Sequence, residues 1–296
     1  MAKVSILMNG YNSAEFLRET LQSVFNQSFK DWEIIFIDNC STDNTSEIIK
    51  EYSDKIKYYK TEKNIPLYAA REFGMAYVKG EFLCVLDTDD LWEKDKLKNQ
   101  IEVAEKFKAD FIFTNFLNFY TGPEKLKKFK YDFYSKRQNI RRSLIQSGFK
   151  EPLELIKSYY INLQSIMIRT SALKGQNFNP TYNLAGDFEF FLRLFKFNSI
   201  KPYFLSQTLT KSRMHSKQLS KKLSSDWEIE VQHIYEHSLK DKLNESERKW
   251  FRFHVDYFKM LRLRDEGKSA EARKLLSHYK NLSMQNGLLY LRSFFW

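Results

Sequence analysis

The sequence predicts an α/β protein with a mostly parallel central sheet flanked by helices, followed by a helical C-terminal region. Three observations predict it. Apolar runs of strand length alternate with stretches of helical periodicity from Val4 to Phe113. The connections between them are short, which places consecutive strands side by side and parallel. From Asp226 onward apolar residues recur at helical spacing.

Val4 to Met8 reads as a buried strand, turned by Asn9-Gly10-Tyr11-Asn12. Asn12 and Glu15 stand at capping-box spacing before a helix carrying Leu17, Leu21 and Val24. Trp32 to Ile37 is a second strand ending at Asp38, and the polar turn Asn39 to Asp43 leads into a helix with Ile48, Ile49 and Tyr52. Ile56 to Tyr59 is a short third strand. A helix from about Pro66 to Val78 begins with proline, whose missing N–H costs little in a first turn. Glu81 to Leu86 is a fourth strand. Leu97, Ile101, Ala104 and Phe107 mark another helix, and Phe111 to Phe113 a fifth strand. Further on, Leu163 to Ile168 reads as a strand, and Ala185 to Leu194 as the start of a helix burying Phe188, Phe191, Leu192 and Phe195.

Polar residues collect where strands end: Asn9–Asn12, Asp38–Asp43 and Asp87–Asp90. In open α/β sheets ligands bind at the carboxyl ends of the strands, so these clusters are expected on one edge. Asp87-Thr88-Asp89-Asp90 is the most charged of them. Carboxylates that close raise one another's pKa unless a cation sits among them. Asp87 and Asp89 alternate along an extended chain and project to one side, as hard oxygen ligands for Mg2+ or Mn2+. Taken alone, the stretch is equally readable as a strand end followed by a helix N-cap at Asp90.

Composition bounds the alternatives. The chain of 296 residues is 43% hydrophobic and 16% aromatic, with only 9 Gly and 5 Pro, enough for a large core and little linker. No apolar run reaches the length of a membrane span, and Met1 to Ser5 lead straight into a strand, as expected of a chain without a secretory leader. Cys40 and Cys84 form no C-x-x-C pair, which fits a reducing compartment. The net charge of +11 is concentrated in the middle: residues 1–100 carry −4, residues 101–225 +13 and residues 226–296 +2. A basic surface there suits anionic lipid or an anionic acceptor, or is simply solvated. The turn after the first strand lacks G-x-G-x-x-G, no G-x-x-x-x-G-K-[ST] occurs, and no nucleic-acid-binding module is present.

The stretch VSILMNGYNSAEFLRETLQSVFNQSFKDWEIIFIDNCSTDNT, with AAREFGMAYVKGEFLCVLDTDD, resembles the family 2 inverting glycosyltransferases of the GT-A fold, a Rossmann-like nucleotide-diphospho-sugar transferase fold. The likeness covers about the first 120 residues strongly and weaker landmarks to about residue 220. It implies transfer of a sugar from a nucleotide-sugar donor, a UDP-sugar, to a glycan or lipid-linked glycan hydroxyl, with Mn2+ or Mg2+ as cofactor. The resemblance carries roles over by position. Tyr11 matches the tyrosine that packs on the base, and Asp38 the aspartate that accepts from the uracil N–H. Arg71 matches the arginine near the diphosphate. Asp87 lies near the ribose, with Asn9 and Thr88 among the donor contacts, and Asp89 is the metal-ligating acid of the D-x-D element. Two departures stand out: Asn9-Gly10 replaces the usual Pro-Thr, and Asp38-Asn39 the usual pair of aspartates.

Asp187 opens its helix, where the dipole favours its charge. In the family an acidic residue here, usually within E-D, is the catalytic base; this chain has Gly186 before Asp187, with Glu189 as the alternative. His215, within RMHSKQLS, resembles the family's H-x-x-x-x-S element and is a candidate metal ligand. The basic stretch from Tyr120 to Lys150 reads as a lid or acceptor-contact segment. Expected domains are 1–225, with a donor half 1–120 and an acceptor half 121–225, and a helical region 226–296. The apolar tail 287–296 packs on the body, dimerises or touches a membrane interface. The expected setting is cytoplasmic, with any membrane contact peripheral at the inner face. A protein that binds sugar nucleotides or glycans without catalysis on the same fold is the competing reading.

Overall fold

In the computed structural model, residues 2–121, 161–215, 217–219 and 226–277 are described. They fall into two compact units, the first made of residues 2–121 and 161–215 and the second of the residues from 217 onward. The basic stretch 122–150, Lys221, Lys222 and the tail 287–296 lie outside the described residues.

The first unit is built on one eight-stranded sheet: β1 (Val4–Gly10), β2 (Trp32–Asp38), β3 (Ile56–Lys60), β4 (Phe82–Val85), β5 (Leu91–Trp92), β6 (Phe111–Tyr120), β7 (Met167–Arg169) and β8 (Pro202–Met214). Their order is β3-β2-β1-β4-β7-β6-β8-β5. β1, β2, β3 and β4 pair in parallel, as does β6 with β8, while β7 runs antiparallel to both β4 and β6. The sheet is therefore mixed, and two successive reversals restore β6 and β8 to the direction of β4. Their carboxyl ends share an edge with those of β1, β2 and β4. Every residue of β1 is buried, as a parallel strand covered on both faces requires.

Four helices connect the strands: α1 (Ala14–Phe25), α2 (Thr45–Lys50), α3 (Leu67–Met75) and α4 (Lys96–Phe107); α5 (Gly186–Phe197) precedes β8. The capping box expected at Asn12 does not form. Asn12 is left-handed (φ 51°), and Ser13 takes the cap position without a side-chain bond. The free amides of α1 are satisfied from the neighbouring loop instead: Ala14 N–H donates to Asp43 Oδ2 (3.0 Å) and Ser13 N–H to Thr45 Oγ1 (2.9 Å). Burial works to raise the Asp43 carboxyl, but hydrogen bonds from Thr45 and Ala14 outweigh it and hold the group below its usual range. α2 ends at Lys50, so Tyr52 lies beyond it.

The strand expected over 163–168 is instead a 3-10 turn, Leu163–Ser165, followed by the short β7. Asn162 causes this: its side chain accepts from Gln164 N–H (3.0 Å), and Ser165 Oγ donates back to Asn162 O (2.7 Å). Such local bonds compete with a strand ladder. β6 runs seven residues past Phe113 because β8 pairs with it across a bulge at Asn115.

A buried polar network lies behind the turn. Lys96 Nζ donates to Gln100 Oε1 (2.7 Å) and sits 4.2 Å from the centroid of the Trp92 ring, and Trp92 Nε1 donates to Gln164 O (2.9 Å). Burial pushes the Lys96 ammonium down to about 8 and the nearby Cys84 thiol up to about 11. Between pH 8 and 9 the unfolded chain keeps a lysine proton that the folded one sheds, so stability rises with pH there by about 1 kcal/mol. Above pH 9 the unfolded thiol ionises first and opposes the rise. Denaturant unfolding across pH 7.5–10 should show a rise that then flattens, and Lys96→Met should remove the rise.

In the second unit α6 (Asp226–His233) continues into a π-helical turn, Ile234–Leu239, followed by α7 (Glu245–Asp265) and α8 (Ser269–Ser277). Asn244 and Glu247 form a reciprocal capping box at α7, with bonds of 2.8 and 2.9 Å. Gly267, at φ 78°, separates α7 from α8. Among the described residues no helix is long and apolar enough to cross a membrane.

Candidate functional site

The site lies along the carboxyl edge of the sheet. Arg71, on α3, is 2% exposed and reaches two strand ends. Its Nε donates to Asn9 Oδ1 (3.1 Å), and its Nη2 pairs with Asp87 Oδ1. The other oxygen of Asp87 accepts from Gln164 Nε2, so both oxygens are held in one orientation. Gln164 had no assigned role in the sequence; only the turn set up by Asn162 aims it at β4.

Asp89 and His215 meet across the edge, with His215 Nε2 2.9 Å from Asp89 Oδ2. His215 follows β8 directly, and the Phe16 ring packs on it at 4.9 Å between centroids. Asp90 is not a helix cap. Its carboxylate accepts from Arg213 N–H (2.7 Å) and so fastens the acidic loop to β8, and α4 begins only after β5. Arg213 Nε also donates to Asp89 O (2.8 Å). Thr88 Oγ1 donates to Ser13 Oγ (2.9 Å). A Cβ at Gly10 would stand 2.4 Å from Ser13 Oγ and 2.9 Å from the Thr88 methyl, so this close approach of β1 to the acidic loop requires glycine.

Ligand atoms of Asp87, Asp89 and Asp90 all lie within 4.8 Å of one another. Burial, joined by the charges of Asp89 and Asp87, pushes the Asp90 carboxyl well up. Burial also raises Asp87, against the pull of Arg71 and with a push from Asp89. A divalent cation relieves that crowding, and hard oxygens with one imidazole suit Mg2+ or Mn2+. The ligand atoms of Asp87, Asp89 and Asp90 could hold such an ion, and His215 Nε2 lies beside Asp89.

Tyr11 stands 52% exposed beside these groups, its ring open to a ligand. Asp38 does not reach the open edge. It has no exposed surface, and its carboxylate accepts from Ser41 N–H (2.7 Å) and Tyr58 O–H (2.6 Å). It shapes the loop after β2, which Ser41 Oγ ties to Asn12 N–H (2.9 Å). Asp187 is half-buried in the first turn of α5, between buried neighbours on both sides. Glu189, the alternative base, is 1% exposed and paired with Arg193 through both oxygens (2.9 and 3.0 Å), which removes it from consideration.

Sheet order and edge define a GT-A protein, and two solved structures share the architecture. TarS residues 1–349 of S. aureus, in complex with UDP-GlcNAc, superposes with a TM-score of 0.63 at 19% identity, over 96% of this chain and 74% of that one. The mannosyltransferase PcManGT of Pyrobaculum calidifontis, in complex with GDP-Man and Mn2+, gives 0.64 at 13% identity, over 99% and 79%. Residues 5–155, about half the chain, match the family Glycosyl transferase family 2, and the chain belongs to it. Among relatives, WfgD of Escherichia coli, a UDP-Glc:alpha-D-GlcNAc-diphosphoundecaprenol beta-1,3-glucosyltransferase, is 34% identical over 114 residues, 38% of this chain and 45% of its own. The chain spans about half the length of the curated relatives that match at 34% identity.

Proposed function

We propose that this protein is an inverting glycosyltransferase that moves a hexosyl or N-acetylhexosaminyl group from a UDP-sugar to a hydroxyl of a glycan or lipid-linked glycan. The observation that carries the reading is the convergence at the strand ends of the Arg71–Asp87 clamp and the Asp89–His215 pair, with the half-buried Asp187 near enough for its charge to act on Arg71. UDP-GlcNAc in TarS and the UDP-Glc donor named for WfgD support the choice of nucleotide. The acceptor named for WfgD, a lipid-linked sugar diphosphate, supports the acceptor class.

The tasks divide as follows. Tyr11 stacks on the base. Asn9 and Thr88 line the donor pocket, and Asp87 faces the ribose. Arg71 offsets charge on the diphosphate as the bond to the sugar breaks. Asp89 and His215 would hold Mn2+ or Mg2+, which when bound would supply positive charge at the leaving diphosphate. Asp187 takes the proton of the acceptor hydroxyl while its oxygen attacks the anomeric carbon opposite the leaving group. The new C–O bond forms as the old one breaks, UDP leaves, and configuration inverts.

A thermal-shift screen of UDP, GDP, UDP-Glc and UDP-GlcNAc, with and without Mn2+, tests it. UDP ligands should raise the midpoint, more so with Mn2+, and UDP should be released from one of the sugars in the presence of lipid-linked glycans. Stabilisation without release from any donor and acceptor pool favours the non-catalytic binding protein. No response to any nucleotide rejects both.

A further inference from the structure

Tyr68, in the first turn of α3, belongs to no assigned role. It is 2% exposed and lies three residues before Arg71, on the same helix face. The Arg71 guanidinium carbon sits 4.6 Å from the centroid of the Tyr68 ring. The same ring presses on the start of α5: a Cβ at Gly186 would stand 2.4 Å from two ring carbons. The Tyr68 hydroxyl also feels the charge of Asp187, the next residue along α5. Two bonds tie α3 to the segment before α5: Leu67 N–H donates to Asn183 Oδ1 (2.8 Å) and Tyr68 N–H to Tyr182 O (3.3 Å).

Together these contacts run from the donor clamp to the proposed base. Arg71 touches the ring, the ring excludes any side chain at 186, and the next residue, Asp187, is near enough for its charge to act on the hydroxyl. The Tyr68 ring occupies the space that a side chain at Gly186 would take.

We propose that Tyr68 is the positioning residue of this transferase, holding Asp187 at a set distance from the Arg71–Asp87 clamp, with Gly186 as its required partner. The proposal rests on the reading of Asp187 as the base. Burial, with the Asp187 charge behind it, keeps the phenol protonated, so Tyr68 itself transfers no proton.

Tyr68→Phe keeps the ring and removes the hydroxyl. It should bind UDP with Mn2+ as the wild type does and lower kcat for transfer from UDP-GlcNAc about tenfold at unchanged donor KM. It should also move the acid limb of the kcat–pH profile. The carboxyl 13C resonance of Asp187, read in the free protein and assigned by its loss in Asp187→Asn, should change its titration in Tyr68→Phe. Gly186→Ala should lower the unfolding midpoint in the wild-type background and cost much less beside Tyr68→Leu. A Tyr68→Phe protein with wild-type kcat, pH profile and Asp187 resonance would overturn the positioning role, as would a Gly186→Ala penalty independent of residue 68. Full turnover in Asp187→Asn would sink the base assignment instead, and the two failures are told apart by that variant alone.

Discussion

Asp187→Asn should leave UDP binding within about twofold of wild type and lower transfer by 10²–10⁴-fold, the usual worth of a positioned general base. The substitution is nearly isosteric and sits on a half-buried side chain, so the fold should tolerate it. Loss confined to kcat is the signature of a group acting in the transition state. Isothermal titration with UDP and Mn2+, beside initial rates over a pH series, checks both halves. Turnover at the wild-type rate would remove Asp187 from the mechanism.

Arg71→Leu should be the more damaging change to the protein itself. The guanidinium is buried, bonds Asn9 and Asp87 and lies on the Tyr68 ring, so a leucine leaves two acceptors, the Asn9 amide oxygen and the Asp87 carboxylate, without their donor. Asp87 is 31% exposed, so solvent takes up part of the loss, which comes to about 1–3 kcal/mol. For a unit of this size that lowers the unfolding midpoint by roughly 2–12 °C, at about 2–4 °C per kcal/mol. Arg71→Lys keeps the charge but cannot bridge Asn9 and Asp87 with a planar fork, so it should fall between, with UDP affinity lost before stability. Calorimetry with a nucleotide titration at a permissive temperature separates the two losses. An Arg71→Leu protein that melts with the wild type would show the clamp to be dispensable.

Much of the first unit was legible residue by residue. β1, β2 and β4 carry buried apolar runs, Ile6–Met8, Ile34–Ile37 and Phe82–Val85, because both faces are covered, and the helices between them carry clear apolar stripes. The site showed itself as polarity at strand ends: Asp89, Arg71, Asp87 and His215 do come together on one edge. Asp38 is the instructive departure. Its place at a strand end and its charge are plain in sequence, but its direction depends on Tyr58 and Ser41, and Tyr58 lies twenty residues away on another strand.

Gln164, Tyr68 and Arg213 were silent for a related reason. Each acts over a sequence separation too long for any local pattern: Gln164 on Asp87, Tyr68 on Asp187, Arg213 on Asp89 and Asp90. Glu189 and Asp187 are two residues apart and both acidic, so spacing alone left them as alternatives. Helix geometry separates them, because residues two apart face different ways: one reaches the half-open helix start, and the other turns inward onto Arg193.

The sequence by itself determined the alternation of elements, the acidic strand end and the family resemblance, because these are written in neighbouring residues through hydrophobic periodicity and turn chemistry. Only the tertiary structure decided the antiparallel β7 and the long β6–β8 ribbon, the bond that fastens Asp90 to Arg213, and the packing of Tyr68 on Gly186. Those depend on which distant side chains share a volume. A buried charge or a missing Cβ is explained only by what fills the space beside it.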